Sequence, residues 1–147
     1  MRQKPILFST PMVLAILKER KTQTRRIVPK KTIDAFHTAC ADAIMIPSAA
    51  FEKEYYLRHC KFKVVDILWV RETWMLDEWG YQFKALENGQ IFYDDGSIKW
   101  RPSIHMPRKA ARLFLRVMDV RIERLHDISE EDAVAEGIGK IYDNLTT

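Results

Sequence analysis

The stretch FKVVDILWV, residues 62–70, is a near-continuous run of apolar and β-branched residues in the middle of the chain. A short run of this kind predicts a buried β-strand. It leads directly into Arg71-Glu72-Thr73-Trp74, so charged side chains follow the strand at its end. A carboxylate at such a position needs a partner, because an unpaired charge away from water is costly. We therefore predict that Glu72 forms a structural ion pair, with Arg71 or with an arginine of the cationic segment 20–26, and the alternative is a role as a catalytic acid.

Two elements precede this strand. Ile6-Leu7-Phe8 is a short apolar run that is typical of a first strand. Ser9-Thr10-Pro11 then predicts a helix start, with Thr10 as the N-cap and Pro11 at the first helical position, where proline is favoured. The apolar stripe of this helix consists of Met12, Val13, Ile16 and Leu17.

Turn signals and a second candidate strand follow the buried run. Residues 78–98 include Asn88-Gly89 and Asp94-Asp95-Gly96, which predict a hairpin or an extended loop. Residues 112–124 alternate between apolar and polar side chains, but the alternation changes phase after Val117. That change predicts a β-bulge near Met118-Asp119.

A short helix is predicted near the end of the sequence and another in its first half. Ser129 has the features of an N-cap with acids in the first turn behind it, and this helix should end near Gly137. Residues 30–61 carry a poor signal, so we interpret them as a variable insertion. Within the insertion, Ser48 is predicted to cap a helix.

The composition indicates one domain. A chain of 147 residues, 47% of them hydrophobic, can bury a core of its own. The net charge of +4 is too small to favour nonspecific binding to duplex nucleic acid, so a nucleic-acid role would depend on a local patch. The two cysteines do not make the disulfide framework of a small secreted domain. Because no apolar run approaches the roughly 20 residues that span a bilayer, we expect a reduced, cytoplasmic protein without a membrane segment.

The segment Arg20-Lys21-Thr22-Gln23-Thr24-Arg25-Arg26 places four cations and two hydroxyls in seven residues. Arginine offers a planar fork of donors to phosphate or carboxylate, whereas the pKa of lysine falls readily on burial. A threonine hydroxyl becomes a nucleophile when a neighbouring base takes its proton. The segment therefore predicts a pocket for a polar ligand, anionic or nucleoside-like, with catalysis as a further hypothesis. The alternative is a basic surface turn whose cations complement the dipole of the preceding helix.

Four stretches of the sequence share a pattern with a known family. They are AILKERKTQTRR at 15–26, DILWVRETW at 66–74, SIHMPRKAARLFLRV at 103–117 and RLHDISEEDAVAEGI at 124–138. Together they resemble the ASCH family of the PUA-like superfamily, and most of all its phage and prophage branch. The resemblance implies an α+β fold, a PUA-like mixed β-barrel flanked by helices, in a single domain over 1–147 with the insertion at about 30–61. It also implies RNA or a modified nucleoside as the partner.

One branch of this family hydrolyses acetylcytidine, and the resemblance carries its catalytic set to Lys21, Thr24 and Glu136. Lys21 would accept the proton of Thr24, and Thr24 would attack the amide carbonyl to form an acyl-enzyme. Glu136 would orient the lysine or handle the proton of the leaving amine, while Arg26 would support the oxyanion or hold substrate. Residues three apart point to opposite faces of a regular strand. Joint action of Lys21 and Thr24 therefore requires a bend between them.

Three positions depart from the family pattern. Glu19 and Val65 stand where the family usually has glycine. The sequence also stops at Asn144-Leu145-Thr146-Thr147, where relatives continue into a last strand. We therefore expect an altered pocket backbone and a fold that lacks the usual C-terminal strand.

Several other side chains are candidates for binding roles. Trp69, Trp74 and Trp100 are candidates for stacking on a base, with core packing as the alternative. His105 and Arg108 lie in a proline-flanked loop before a predicted strand, where ligand-facing residues are common. We expect no cofactor and no metal, since His37, Cys40, His59 and Cys60 do not have the spacing of zinc modules. The substrate-binding candidates are Arg20, Arg25, Arg26, Glu72, Trp74, His105 and Arg108.

The sequence therefore supports three hypotheses. The first is a domain that recognises a nucleoside or an RNA base and removes an acyl group from a modified nucleoside such as acetylcytidine. The second is a noncatalytic RNA- or nucleotide-binding module that uses the same cations. The third is a prophage accessory protein with a vestigial pocket.

Overall fold

The structure, a computed structural model, describes residues 2–138, which form five β-strands and four α-helices. Three single turns of 3₁₀-helix lie at Ser103–His105, Arg108–Ala110 and Leu125–Asp127. The order of the longer elements is β1 (Gln3–Leu7), α1 (Thr10–Leu17), α2 (Lys30–Asp42), α3 (Ala49–His59), β2 (Ile67–Arg71), β3 (Trp74–Asp77), β4 (Gly80–Phe83), β5 (Phe114–Arg116) and α4 (Glu130–Ala135).

The buried run predicted from the sequence forms β2, the middle strand of a three-stranded sheet. It pairs in parallel with β1, where Leu7 lies opposite Arg71, and antiparallel with β5, where Trp69 lies opposite Phe114. Alternate residues of a strand point to opposite faces. On one face, Leu68 and Val70 are buried in a core with four other buried residues, Ile6, Phe8, Val13 and Ala85.

Helix α1 covers the core face of this sheet and begins one residue earlier than predicted. Ser9, not Thr10, is the N-cap, although its side chain makes no capping hydrogen bond. Pro11 is therefore the second helical residue rather than the predicted first, still within the first turn. The helix ends where Glu19 adopts a left-handed backbone with φ of 56°.

Strand β2 starts later than predicted because residues 63–66 form a turn. The Asp66 amide donates to the Lys63 carbonyl at 3.1 Å, and Val65 has a left-handed φ of 66°. The Asp66 carboxylate accepts from Lys4 Nζ at 2.6 Å and from the Lys63 amide at 2.9 Å. These hydrogen bonds, first that of Lys4, lower the pKa of Asp66. The Asp66 carboxylate therefore binds both the backbone of the turn and Lys4 of β1.

The same turn explains why β5 is shorter than the alternation suggested. Val117 still pairs with this region, since its amide donates to the Asp66 carbonyl and its carbonyl accepts from the Val65 amide, both at 2.9 Å. Beyond Val117, the segment of the same chain that pairs with it has turned away. Residues 118–124 accordingly form no strand, and the bulge predicted near Met118-Asp119 is wrong.

We expect Val65→Gly to raise the free energy of unfolding by up to about 1 kcal/mol, measured by urea denaturation. A left-handed backbone costs an L-residue about 1–2 kcal/mol, and glycine removes that steric cost. Glycine also loses more conformational entropy on folding, which offsets part of the gain in stability. Val64→Gly is the matched control, since Val64 is also exposed but has no positive φ. A loss of stability in Val65→Gly equal to that of the control would contradict the argument.

The region after β2 forms a hairpin, but from an earlier start than predicted. Strands β3 and β4 pair antiparallel around Glu78-Trp79, with Asp77 opposite Gly80. The Asn88-Gly89 signal marks a second turn, closed by an isolated bridge between Ala85 and Ile91. The region predicted as one hairpin or extended loop over 78–98 therefore contains two successive turns, the first at Glu78-Trp79 and the second at Asn88-Gly89.

Residues 30–61, which the sequence pattern left without a clear prediction, are mostly helical, in α2 and α3. Helix α3 begins after Ser48, whose hydroxyl accepts from the Phe51 amide at 3.2 Å, so the predicted cap is confirmed. Helix α2 was not predicted, because only two of its apolar residues, Ile33 and Phe36, are large and they mark no clear stripe in the sequence. The two helices bury a small core of their own around Phe36, Cys40 and Tyr56.

The fold is mixed α and β, as predicted, but it differs from the expected barrel. Residues 2–138 contain a three-stranded and a two-stranded sheet, and these do not close into a barrel. The expectation about the last strand concerns residues 139–147, which lie outside the described part of the chain. Among the described helices, none is long and apolar enough to cross a membrane.

Candidate functional site

The cationic segment 20–26 runs without regular secondary structure from α1 to the C-terminal end of α4. The amides of Arg20 and Lys21 both donate to the Ala15 carbonyl, at 2.8 and 3.0 Å. The amides of Thr22 and Gln23 both donate to the Ala135 carbonyl, also at 2.8 and 3.0 Å. The backbone of the segment is therefore attached to two helices, which brings Lys21 beside Glu136.

Lys21 is buried, with only 7% of its surface exposed. Its Nζ donates to the carbonyls of Gln23 at 2.6 Å and Glu136 at 2.9 Å. Burial lowers the pKa of Lys21 below its ordinary value of 10.5; the negative charge of Glu136 opposes this effect and the charge of Arg26 adds to it. A lysine in this setting is easier to deprotonate than one in water.

Gly137 allows α4 to end against this lysine. It has a left-handed φ of 90°, and a Cβ atom at this position would lie 2.8 Å from Ala15 Cβ and 3.1 Å from Lys21 Cβ. Any other residue would push the two helices apart or displace the lysine stem. The glycine predicted to end the helix thus also determines how closely α4 approaches Lys21.

Thr24 has a buried hydroxyl, and its Oγ1 has no hydrogen-bond partner among residues 2–138. Most buried polar atoms in native proteins have a partner, so an exception requires an explanation. No strand runs through Lys21 and Thr24, and the Lys21 side chain folds back onto the carbonyl of Gln23. The extended arrangement that would exclude joint action of the two residues is therefore absent from this segment.

Arg25 and the carboxylate of Glu136 belong to an ion-pair network. Arg25 lies 2.9 Å from Asp132, 3.0 Å from Glu136 and 3.2 Å from Glu123. The hydrogen bond with Glu136 is the largest cause of a raised pKa for Arg25. Glu136 meets Lys21 through its main-chain carbonyl rather than through its carboxylate. The structure thus gives Arg25, a predicted substrate ligand, three protein partners.

Arg20 and Arg26 are exposed and form no ion pair with any residue in 2–138. The Arg26 guanidinium donates to the Arg25 and Leu7 carbonyls, each at 3.1 Å. It also lies 5.7 Å from the centroid of the Phe8 ring, and Lys21 Nζ lies 5.6 Å from the same ring. Arg26 therefore stands at the carboxyl end of β1.

Arg71 ends the neighbouring parallel strand, opposite Leu7. Its guanidinium carbon lies 5.4 Å from the Trp69 ring, and its Nη2 donates to the Ile104 carbonyl. Its Nε is buried without a partner among the described residues. Carboxyl ends of parallel strands are frequent ligand sites. Sequence reasoning considered Arg71 only as a partner of Glu72 and missed this position.

Glu72 is 1% exposed and forms the predicted structural ion pair, but its partner is Arg112. Arg112 binds it through two parallel hydrogen bonds of 3.0 and 2.9 Å and also donates to the Ala85 carbonyl. Its guanidinium carbon lies 4.3 Å from the Phe83 ring. The prediction that Arg71 or an arginine of segment 20–26 pairs with Glu72 is therefore wrong. The substrate-binding role suggested for Glu72 has no support in this geometry, because both its oxygens are engaged.

The other predicted binding residues are dispersed. Trp74 is buried with Met106 and Ala110 and takes the core alternative. His105 is exposed at the end of a 3₁₀ turn, next to the Ile104 carbonyl that Arg71 binds. Arg108 is exposed and donates through Nε to Gln3 Oε1 at 2.9 Å. His105 therefore lies beside the end of β2.

The two remaining expectations concern Trp100 and a metal. Trp100 donates through Nε1 to Asp94 at 2.7 Å, inside the loop that follows the second turn. Cys40 and Cys60 are free thiols, and His59 stacks on Tyr55 with centroids 4.1 Å apart. Between residues 2 and 138, no group of three His, Cys, Asp or Glu side chains is arranged to hold a metal ion.

A cavity of about 450 Å³ lies at the hairpin, away from the cationic segment. Arg112 forms one wall, and the other lining residues are Tyr81, Gln82, Phe83, Ala85, Leu86, Glu87 and Asn88. None of the predicted site residues lines it.

The candidate site is therefore the junction of the cationic segment with the carboxyl ends of β1 and β2. Lys21 meets the main chain of Glu136 on its inner side, and Arg26 and Arg71 stand at its strand ends. Thr24 follows Lys21 in the segment, but its Oγ1 makes no hydrogen bond to Lys21 Nζ. Sequence reasoning had no signal for the approach of Arg71, since that depends on strand pairing. No family model, curated protein or solved structure matches this chain.

Proposed function

We propose that this chain recognises a nucleoside or an RNA base at the junction of segment 20–26 with the ends of β1 and β2. One observation carries the proposal: of the three buried side-chain polar atoms without a hydrogen-bond partner among residues 2–138, two belong to this region, Thr24 Oγ1 in the segment and Arg71 Nε at the end of β2, while the third, Trp74 Nε1, lies in the core beside Met106 and Ala110. Such atoms are normally satisfied by a protein group, a water or a ligand. The loss of a hydrogen-bond partner costs more than an ordinary hydrogen bond contributes.

The chemistry of the junction suits a nucleobase. A base offers carbonyl and ring-nitrogen acceptors, and the junction offers donors, namely the arginine N–H groups and the Thr24 hydroxyl. The Arg26 guanidinium uses two of its five N–H groups on main-chain carbonyls, which leaves the others for a ligand. Because Arg26 and Arg71 have no acidic partner in residues 2–138, a phosphate or a polarised carbonyl is a favourable neighbour.

The backbone supports the resemblance to the ASCH family, on which this proposal also draws. Glu19 and Val65 stand where the family usually has glycine, and both have a positive φ, 56° and 66°. Only glycine adopts that conformation without steric cost. The two departures from the family pattern therefore preserve the backbone that glycine would favour. A cytoplasmic location is part of the same proposal.

We expect Arg26→Gln to weaken the binding of acetylcytidine or cytidine by roughly tenfold to a hundredfold, measured by isothermal titration calorimetry. A hydrogen bond to a charged group contributes about 1.5–3 kcal/mol. Arg124→Gln is the matched control, because Arg124 is also exposed and has no ion pair within the described residues. Equal affinity of Arg26→Gln and wild type, or no heat of binding for the wild type, would contradict the proposed site.

A second candidate function, hydrolysis of an acylated nucleoside, is favoured by the buried lysine. A neutral lysine amine has two N–H donors and one lone pair, and the two carbonyls bound by Nζ match the two donors. The lone pair is then available to accept a proton. The lowered pKa of Lys21 makes this neutral form more accessible.

The proposed reaction has two steps. In the first, Thr24 Oγ1 bonds to the acyl carbon, its proton passes to Lys21 Nζ, and the C–N bond breaks as that proton reaches the leaving amine. In the second, water attacks the ester, Lys21 takes a water proton, and the threonine oxygen leaves and is reprotonated. The products are cytidine and acetate. Because Oγ1 is buried, segment 20–26 has to open for the acyl carbonyl to reach it.

A further inference from the structure

Strand β4 forms an open edge of the two-stranded sheet. The Lys84 amide donates to the Thr73 carbonyl at 3.1 Å, so these two residues form a hydrogen-bonded pair. Hydrogen-bonded and non-hydrogen-bonded pairs alternate along an antiparallel ladder, so the amides and carbonyls of Tyr81 and Phe83 point away from β3. Within residues 2–138 these four groups have no hydrogen-bond partner. They therefore form a row of unpaired donors and acceptors.

The opposite edge of the same hairpin is covered. Trp74 of β3 exchanges two main-chain hydrogen bonds with Arg101, at 3.3 and 2.8 Å. An uncovered strand edge is a template on which another chain can pair. The hairpin can therefore accept a further strand beside β4 but not at Trp74.

The cavity of about 450 Å³ follows this open edge. Three consecutive residues of β4, Tyr81, Gln82 and Phe83, line it. Its volume lies within the range of about 300–1,000 Å³ that is usual for ligand sites. Side chains of an added strand project alternately to both faces, so a cavity beside the edge gives room for one of them.

Arg112 supplies a directed donor to the cavity. Its Nε and Nη2 donate to Glu72, whereas Nη1 has no hydrogen-bond acceptor in the described part of the chain. Glu87, which is exposed, lies 4.0 Å from Nη1. Two carboxylates thus already balance the charge of this guanidinium. The acceptor that suits Nη1 is therefore a neutral carbonyl, such as that of a peptide bond.

The surroundings of the edge are acidic, although the whole chain has a net charge of +4. From outside this stretch, the Lys18 side chain reaches Gly89. The excess of carboxylates favours a cationic partner, and it opposes the pairing of β4 edges from two copies, which would bring like charges together. Residues 77–98 contain one lysine, Lys84, and five acids, namely Asp77, Glu78, Glu87, Asp94 and Asp95.

We propose that the open edge of β4 binds an extended, basic segment of a partner protein by strand addition. The main chain of that segment pairs with Tyr81 and Phe83, and one of its carbonyls accepts from Arg112 Nη1. Main-chain hydrogen bonds give such complexes their affinity, and contacts of alternate side chains give specificity. The inference goes beyond the proposed function, because no residue of the nucleoside site lines this cavity.

The test uses a peptide of about seven alternating lysine and valine residues, titrated into isotope-labelled protein and followed by amide hydrogen exchange in NMR spectra. At a peptide concentration of about ten times Kd, exchange of the Tyr81 and Phe83 amides should slow by roughly tenfold, because they exchange only from the free protein. Two peptides that are N-methylated at alternate residues form a matched pair. Methylation of the amides that face β4 should abolish binding, and methylation of the others should change Kd by less than about twofold.

Two variants test the side chains of the cavity. Arg112→Met, made together with Glu72→Leu so that no carboxylate is left buried without a partner, should raise Kd by about tenfold. Glu87→Gln should raise it by about twofold to fivefold. Glu130→Gln is the control, since Glu130 is exposed on α4, outside the cavity. Thermal unfolding of each variant shows that it is folded.

Saturable binding that protects both amides, and that is lost with only one of the methylated peptides, supports the proposal. No binding up to about 1 mM peptide, binding without protection of these amides, or equal binding of a glutamate–valine peptide overturns it. A dimer of the free protein in sedimentation velocity, with both amides already protected, assigns the edge to a second copy and also overturns it. The titration with nucleosides does not involve this edge, so the two proposals fail separately.

Discussion

Replacement of Arg112 by alanine is expected to lower the free energy of unfolding by about 3–5 kcal/mol, because it leaves the carboxylate of Glu72 buried without a partner. Glu72 is 1% exposed and receives two hydrogen bonds from Arg112. The substitution also removes the donor to the Ala85 carbonyl and the cation beside the Phe83 ring. Urea denaturation followed by circular dichroism measures the loss.

A double-mutant cycle separates the pair from its surroundings. Glu72→Leu together with Arg112→Met replaces both charges by apolar side chains, and such replacements of buried ion pairs are often neutral or stabilising. We expect the double variant to recover most of the stability that Arg112→Ala loses. Lys84→Ala, at a half-buried cation of the same region, is the control for loss of charge alone. A loss below about 1 kcal/mol in Arg112→Ala, the range of a surface pair, would show that the pair is solvated.

This ion pair shows how far sequence reasoning reaches. The need for a partner at Glu72 followed from the buried run before it, and the structure confirms a structural pair. The identity of the partner depends on the pairing of β2 with β5, which places Arg112 near Glu72 across 40 residues of sequence. A local pattern cannot supply that register. The predicted partners were therefore Arg71, which is adjacent in sequence, and the arginines of segment 20–26, which stand out as a cluster of cations.

The same distinction applies to the strands and the turn. The apolar run at 62–70 predicted β2 but not its start, because a valine with a left-handed backbone has no sequence signal of its own. The caps at Ser48 and Ser129 were predicted correctly, since a cap is a local hydrogen bond in which the serine hydroxyl oxygen accepts from the backbone amide three residues on. Local rules therefore succeeded where the structure is local. The barrel came from the family resemblance rather than from a local pattern, and the two sheets of residues 2–138 do not close into one.

In the candidate site, the sequence identified the segment but not the role of each cation. Four cations in seven residues predicted a polar pocket, yet Arg25 is engaged by three carboxylates and Lys21 is buried, whereas Arg26 stays exposed. That division depends on α4, more than 100 residues later in the chain. The acids in the first turn of α4 were predicted as partners of the helix dipole. The structure shows that Asp132 is also a partner of Arg25.

If the chain hydrolyses acetylcytidine, Lys21→Met is expected to lower the turnover rate by about 10²–10⁴-fold, the usual contribution of a general base. Methionine fills similar space without a proton acceptor, so loss of packing is kept small. Thr24→Ala removes the nucleophile and should abolish turnover, whereas Thr24→Ser keeps a hydroxyl and should retain a measurable rate. Release of cytidine by the purified protein, followed by chromatography, measures each rate.

The dependence of turnover on pH tests the role of Lys21 independently of the rate itself. The base acts only when it is deprotonated, so kcat/KM should rise with pH and level off above the pKa of Lys21, which burial places below 10.5. Lys21→Met should lose this rise. The lowered pKa of Lys21 also affects stability. Between the folded and the unfolded pKa, the unfolded chain still holds the lysine proton and the folded chain has released it. The free energy of unfolding of the wild type should therefore increase with pH in that window, relative to Lys21→Met. A variant that hydrolyses acetylcytidine at the wild-type rate and with the wild-type pH profile would remove Lys21 from catalysis and leave it the structural role of binding the carbonyls of Gln23 and Glu136.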